Sequence, residues 1–441
     1  MTTWGSGPGH SRLTETFLAG RVGSGLHAHL HATAAPARYE DAAFAFIVAA
    51  VVAALLTPLA ARLARRVGAV SLPSARGLAE RATPELGGLA ILAGVGLAAY
   101  FWMPSSIMLS HTPHGRVGSA GTVHTWGLIA GAALIAGVGA VDDARDLHWT
   151  IKLAGQVAAA LIAVKAGAEI TNVTIPFVGS LQFTDTSGPL TVIWLVTLMN
   201  IVNFSDGVDG LAAGVCTIDG IAFAVIAFSL QGPTSAAAVL AAITAGGALG
   251  FLFHNFYPAK VFMGDTGANL LGYLLGVVAV IGSIKTTAAV ALAVPLLILA
   301  VPFLDTSFVV AKRLKYRRKP WAADAEHFHH RMARIGFSPR RTVAYLYAWT
   351  VMLAVVAIAL RFVPYSDHHG HYRLGWSVVM AAILLIAAAA SVYLVYVLEI
   401  FKFKGLRTIQ LRRLDPDTTE EEIDETVERD VGTGEFEVVG K

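Results

Sequence analysis

Charge is scarce in this chain: only 14% of its 441 residues are Asp, Glu, Lys or Arg, whereas 55% are hydrophobic. A soluble globular domain carries roughly 25% charged residues, so that class is excluded and a polytopic membrane protein is expected. Cysteine is almost absent. The single Cys216 excludes an intrachain disulfide, leaves the redox compartment open, and reads as core filling within an apolar run. The formal net charge is only +3 and no basic-aromatic pattern occurs, so no nucleic-acid partner is expected. No internal repeat is found, which argues against an inverted-repeat carrier. Residues 1–40 lack the basic and apolar regions of a cleaved signal and read as a flexible tail, with His10, His27, His29 and His31 solvated.

Long apolar runs are what the chain has in abundance. About eleven of membrane-spanning length recur, at 43–63, 87–104, 126–141, 151–167, 188–202, 209–230, 235–254, 267–284, 287–311, 342–361 and 375–400. The loop after the first holds Arg62, Arg65, Arg66, Arg76 and Arg81, and the loop after the ninth holds Lys312, Arg313, Lys315, Arg317, Arg318 and Lys319. The positive-inside rule puts both in the cytoplasm, with the N-terminus outside and the C-terminus inside. Residues 168–188 alternate branched and polar side chains around Val178-Gly179-Ser180, which predicts a short extracytoplasmic β-hairpin. Lys402, Lys404, Arg407, Arg412 and Arg413 form a juxtamembrane cluster suited to anionic membrane lipids, followed by a strongly acidic stretch. The expected layout is a tail at 1–40, a transmembrane domain at 41–402 and a cytoplasmic basic-then-acidic tail at 403–441. The fold class is an all-α polytopic membrane protein of about eleven helices. Small-residue spacings such as Gly246-Gly247-Ala248-Leu249-Gly250 allow close helix packing, within a subunit or in a homodimer.

The third run ends abruptly in Asp142-Asp143-Ala144-Arg145-Asp146. Adjacent carboxylates repel unless a divalent cation, a proton or a basic partner offsets them, so the pattern points to a metal-dependent phosphate site. The alternative is that they cap a helix or lie in a solvated loop. Three further polar segments reach the same expected side: Asn200-Ile201-Val202-Asn203-Phe204-Ser205-Asp206-Gly207-Val208-Asp209-Gly210 after the fifth run, His254-Asn255 to Asp265-Thr266-Gly267 after the seventh, and His327-Phe328-His329-His330-Arg331 after the ninth. Lys152 opens the fourth run. Singly, Asp206 and Asp265 read as well as N-caps, and Lys152 as a snorkelling side chain. Jointly, acids near membrane depth are costly and mark function. Carboxylates and amide carbonyls suit Mg²⁺ or Mn²⁺ bridging to a diphosphate, while histidine and arginine suit the remaining phosphate charge. Phosphoryl transfer at a membrane surface is the reaction class implied.

Together these segments resemble the polyprenyl-phosphate N-acetylhexosamine-1-phosphate transferase superfamily over roughly residues 43–345. The resemblance implies transfer of a sugar 1-phosphate from a UDP-sugar to a polyprenyl phosphate, with release of UMP. It implies that Asp142 and Asp143 are the acidic pair, that Asp265 and Asn203 hold Mg²⁺, that Lys152 contacts the lipid phosphate and that Asp206 supports the catalytic centre. Asn200 joins the substrate-binding set, Asp209, Asn255 and Phe262 line a uridine pocket, and the loop with His327, His329, His330 and Arg331 engages diphosphate and sugar. The helix count, the hairpin and the His-x-His-His spacing are similar to the GlcNAc-1-phosphate branch, implying UDP-GlcNAc, an undecaprenyl or decaprenyl phosphate, and a bacterial cytoplasmic membrane. The phospho-N-acetylmuramoyl-pentapeptide transferases are the second branch, and an ion-coupled carrier is the rival from another class. In the first cytoplasmic loop, where relatives often carry an acid and a histidine, this chain has Ser71 and Ala79, so any role of those positions is in doubt. A single displacement and a covalent aspartyl-phosphate route fit the same residues.

Overall fold

Uninterrupted Ala, Leu, Val and Ile satisfy their backbone polar groups internally as helix, the form that suits a medium without water. The computed structural model describes residues 39–72, 82–109, 121–175, 179–183, 186–229, 235–282, 339–363, 373–396, 411–412, 419–423 and 425–426, all within one unit spanning Arg38–Lys441. The helices are α1 (Tyr39–Val67), α2 (Gly87–Trp102), α3 (Thr125–Arg145), α4 (Trp149–Lys165), α5 (Ser187–Ser205), α6 (Leu211–Phe228), α7 (Ser235–Asn255), α8 (Gly264–Gly282), α9 (Pro339–Phe362) and α10 (Leu374–Tyr396). Every expected run except the ninth coincides with one of them; residues 287–311 lie outside the described residues. Eight of the described helices are long and apolar enough to cross a membrane. The two others are α2, apolar but 16 residues long, and α4, 17 residues interrupted by Lys152, Gln156 and Lys165. The chain is an all-α polytopic membrane protein.

Among the described residues, three antiparallel ribbons decorate the bundle. The expected hairpin forms between β5 (Asn172–Ile175) and β6 (Gly179–Gln182), pairing Asn172 with Gln182. A second hairpin that the sequence did not signal joins β3 (Ser106–Leu109) to β4 (Gly121–His124). The shortest ribbon, β1 (Val70–Ser71) with β2 (Thr83–Pro84), lies between α1 and α2.

Helix α8 forms the hub, packed against α2, α3, α5, α6 and α7. Glycine lets backbones touch there: a methyl on Gly88 of α2 would land on the Gly267 backbone, one on Gly139 of α3 on Thr266, and one on Gly272 on the Leu198 carbonyl of α5. Without apolar solvation to drive helices together in lipid, such close packing holds the bundle. The same logic places the Gly246–Gly250 spacing. Of the three glycines of α7, Gly246 and Gly250 face the α1 backbone at Phe46 and Ala50 and Gly247 faces Ile91 and Val95 of α2, so these small residues are used within the chain.

Candidate active site

The last turn of α3, the first turns of α4 and α8, the last turn of α5 and the loops after α5 and α7 meet at one end of the bundle. At that end a cavity of about 260 Å³ is lined by Ser71 and Glu85 from the β1–β2 ribbon, Asp143, Asn203 of α5, the loop residues Asp206–Asp209, and Asn255, Phe262, Gly264 and Asp265. The ribbon and the α7–α8 loop are stitched together. Phe262 donates its N–H to the Pro84 carbonyl at 2.9 Å, and the first N–H groups of α2, from Gly87 and Gly88, donate to Phe262 and Met263 carbonyls.

The adjacent acids of α3 point to different tasks. Asp142 Oδ1 accepts from Leu147 N–H at 2.8 Å, closing the turn in which Asp146 adopts φ 50°, and its Oδ2 pairs with Lys152. Asp143 reaches across to α8. Its Oδ1 accepts from Asp265 N–H at 2.7 Å, and its Oδ2 accepts from the Thr266 hydroxyl at 2.6 Å and the Thr266 N–H at 3.2 Å. A carboxylate there satisfies orphan N–H groups and meets the positive end of the helix dipole. Gly264 makes this approach available: it sits at φ 67°, and any Cβ would collide with the Asp143 carboxylate. The capping alternative for the acidic pair is therefore realised in part, on a helix more than a hundred residues away.

Asp265 is the centre of the arrangement. Asn203 Nδ2 donates to its Oδ1 at 2.7 Å, and Lys152 Nζ donates to its Oδ2 at 3.1 Å. Oxygens of Asp142, Asp143 and Asp265 all lie within 4.8 Å of one another. Three carboxylates at that spacing form a hard-oxygen donor set that can hold a divalent cation. Lys152 offsets part of the same charge, bridging Asp142 and Asp265.

The rest of the expected set divides. Asp209 Oδ2 accepts from Ala259 N–H at 2.8 Å, and the buried Asn255 braces two loops by accepting from Gly210 N–H and donating to the Val261 carbonyl. Tyr347 of α9 donates its hydroxyl to the Gly210 carbonyl from the other side. Asp206 lies at the cavity wall, where burial and then the charges of Asp265, Asp143, Glu85 and Asp209 push its carboxyl up to about 8. Asn200 does not line the cavity; its amide donates to Gln156 Oε1 and the Val196 carbonyl, both at 2.8 Å. His327, His329, His330 and Arg331, and Ala79 with them, lie outside the described residues.

Sequence reasoning passed over Glu85, Gln156, Thr266 and Asn269. Glu85 enters the cavity beside Ser71, whose hydroxyl hydrogen-bonds it; burial pushes the Glu85 carboxyl up against that bond, with Asp265 and Asp142 adding to the rise. Gln156 and Asn269 each lie one helical turn beyond a singled-out residue, Lys152 and Asp265. That spacing is the signal that would have found them.

Residues 125–283, which carry both aspartates of α3, Lys152, the α5–α6 loop and Asp265, match the family described as Glycosyl transferase family 4. A Mycobacterium leprae protein named decaprenyl-phosphate N-acetylglucosaminephosphotransferase is 35% identical over 343 residues, covering 73% of this chain and 84% of the relative. This chain belongs to glycosyl transferase family 4. Another member, from Bacillus subtilis and named a probable undecaprenyl-phosphate N-acetylglucosaminyl 1-phosphate transferase, is 33% identical over 320 residues, 72% of this chain and 84% of its own length. A phospho-N-acetylmuramoyl-pentapeptide-transferase from Moorella thermoacetica is 31% identical over 333 residues, 71% of this chain and 96% of the relative. In this glycosyl transferase family 4 chain, the matched segment contains the Asp142–Asp143–Asp265 cluster and its lysine.

Proposed function

We propose that this protein transfers GlcNAc-1-phosphate from UDP-GlcNAc to undecaprenyl or decaprenyl phosphate, giving polyprenyl-diphosphate-GlcNAc and UMP, the first lipid-linked step of an envelope glycan. The observation that carries the reading is the convergence of Asp142, Asp143 and Asp265 with Lys152 beside a polar cavity at a bundle end. The site lies on the cytoplasmic side of a bacterial cytoplasmic membrane, with the N-terminus outside and the C-terminus inside, as the basic loops require.

Asp265 and Asn203, beside the carboxylates of Asp142 and Asp143, would hold Mg²⁺, or Mn²⁺ in its place, and the cation would supply charge neutralisation on the diphosphate. An oxygen of the lipid phosphate attacks the β-phosphorus of UDP-GlcNAc; the new P–O bond forms as the bond to the bridging oxygen breaks, and the electron pair leaves on UMP. A phosphate monoester near neutral pH needs little base assistance, so the acids work by position. Asp143 spends both oxygens on α8 and presents Asp265, Asp142 orients Lys152, and Lys152 contacts the lipid phosphate. Both engaged carboxylates favour single displacement over an aspartyl-phosphate. Asp206 supports the centre, and Asp209, Asn255 and Phe262 hold the uridine. His327, His329, His330 and Arg331 engage the diphosphate and sugar.

The test is transfer of labelled GlcNAc phosphate from UDP-GlcNAc into solvent-extractable lipid by purified protein with polyprenyl phosphate and Mg²⁺. Labelled lipid with UMP release, abolished by chelation, is the expected result. Label from UDP-MurNAc-pentapeptide alone would move the chain to the sister branch, and no transfer from either UDP-sugar would overturn the proposal.

A further inference from the structure

Three helices each contribute two polar side chains about one turn apart, and the pairs stack in two tiers. The upper tier is Lys152 of α4, Asn203 of α5 and Asp265 of α8, joined through the Asp265 carboxylate. The lower tier, one turn deeper in the bundle, is Gln156, Asn200 and Asn269 of the same helices. Gln156 Nε2 donates to Asn269 Oδ1 at 2.8 Å, Asn200 Nδ2 donates to Gln156 Oε1 at 2.8 Å, and Asn269 Nδ2 donates to the Asp265 carbonyl at 2.9 Å. Gln156 and Asn269 are both 5% exposed, so their amides have little water to turn to and must keep these partners. The tiers differ in chemistry. The upper one carries charges that would change partners when a cation and a phosphate arrive, and the lower one is neutral, with every amide atom of Gln156 and Asn269 hydrogen-bonded.

We infer that Gln156 is a positioning residue: through Asn200 and Asn269 it holds α4, α5 and α8 in register, so that Asp265, Asn203 and Lys152 can exchange partners without the helices shifting. The inference rests on the reading above that Asp265 and Asn203 hold the cation. A network fully satisfied in a low-dielectric interior is stiff, because each amide that turns away forfeits bonds nothing else supplies. Stiffness there is transmitted directly, since Asn269 bonds to the backbone of Asp265, and Lys152 and Asn203 are one turn from Gln156 and Asn200. Outer partners of this kind tune metal affinity or activity by about 10-fold or more.

The experiment measures Mn²⁺ affinity by electron paramagnetic resonance in full-length protein, wild type against Gln156→Met and Asn269→Ala, alongside thermal melting and steady-state transfer. Methionine keeps the volume of Gln156 and removes its hydrogen bonds; Asn269→Ala breaks the same tier from another helix if the first variant fails to fold. Expected are a loss of about 10-fold in Mn²⁺ affinity in either variant, a matching rise in the half-saturating Mg²⁺ concentration, a fall in kcat, and a KM for UDP-GlcNAc within about 2-fold. Folded variants with lower melting temperatures but unaltered Mn²⁺ affinity would show a purely structural tier and overturn the inference. Mn²⁺ binding is read without turnover. A wild-type protein that binds the ion and transfers no sugar phosphate therefore refutes the proposed reaction, while the variants still decide the inference.

Discussion

Helices α8 and α10 invert the rule learned from soluble proteins. The most apolar stretch of α10 is the more hydropathic of the two, yet only 17% of it is buried, against 89% for α8. Its Leu385 and Ile386 are exposed. The buried helix is the one that carries Asp265, Thr266, Asn269 and glycines along its length. In lipid, burying leucine in protein gains little, because the solvent is as apolar as the core; what selects the interior is close backbone approach and the need of polar groups for partners. The difference teaches that hydropathy alone does not set a helix's place: α6 and α10 are equally apolar, yet 72% of one and 17% of the other is buried, and the least hydropathic spans, α3, α5 and α8, are the ones that carry the acidic end.

Changing the polar end of α8 is expected to have the largest effect. Asp265→Asn keeps the backbone N–H groups that Asp143 caps, so the fold survives while turnover falls by about 100- to 1,000-fold in the transfer assay. Near-wild-type turnover would remove Asp265 from the site. Next comes the packing of α8. Gly272→Ala drives a methyl into the Leu198 carbonyl of α5 and should cost about 1–3 kcal/mol, read as a lower melting temperature in detergent.

A smaller effect concerns protons at the cavity wall. In chelator, the folded chain keeps Asp206 protonated up to about 8, whereas the unfolded chain ionises it near 3.8. Between those values the folded state binds the extra proton, so stability falls as pH rises through the window. Asp206→Asn should flatten that slope in melts taken at pH 5 and pH 8, and an unchanged slope would locate the titration elsewhere. The rim should respond least. Leu385→Ala on α10 is expected to change stability by no more than about 0.5 kcal/mol, and a larger loss would mean that this face packs against protein in the membrane.

The comparison also explains how much could be read in advance. The α3 to α8 segments were legible because apolar runs end in acids, amides and glycines, and both signals are local in sequence. Asp142, Asp143, Asn203, Asp206, Asp209, Asn255 and Asp265 were all found that way, and the structure brings them to one end of the bundle. Gln156 and Asn269 were passed over because their one-turn spacing from Lys152 and Asp265 signals a shared helix face but not a partner on another helix. The β3–β4 hairpin was missed because short strands without sustained alternation resemble any loop.

By itself the sequence determined that the chain is a polytopic helical membrane protein and which polar segments are candidates for its chemistry, since hydropathy and charge follow from each residue and its near neighbours. Tertiary structure alone decided the partners: that Asp143 caps α8, that Lys152 bridges Asp142 and Asp265, that the Gly246–Gly250 face is used on α1, and that the buried Gln156 and Asn269 form a tier with Asn200 beneath the acids. The physical reason is distance along the chain. The contacts to α8 and between α7 and α1 join helices separated by other membrane segments, so they exist only once the bundle has closed around α8.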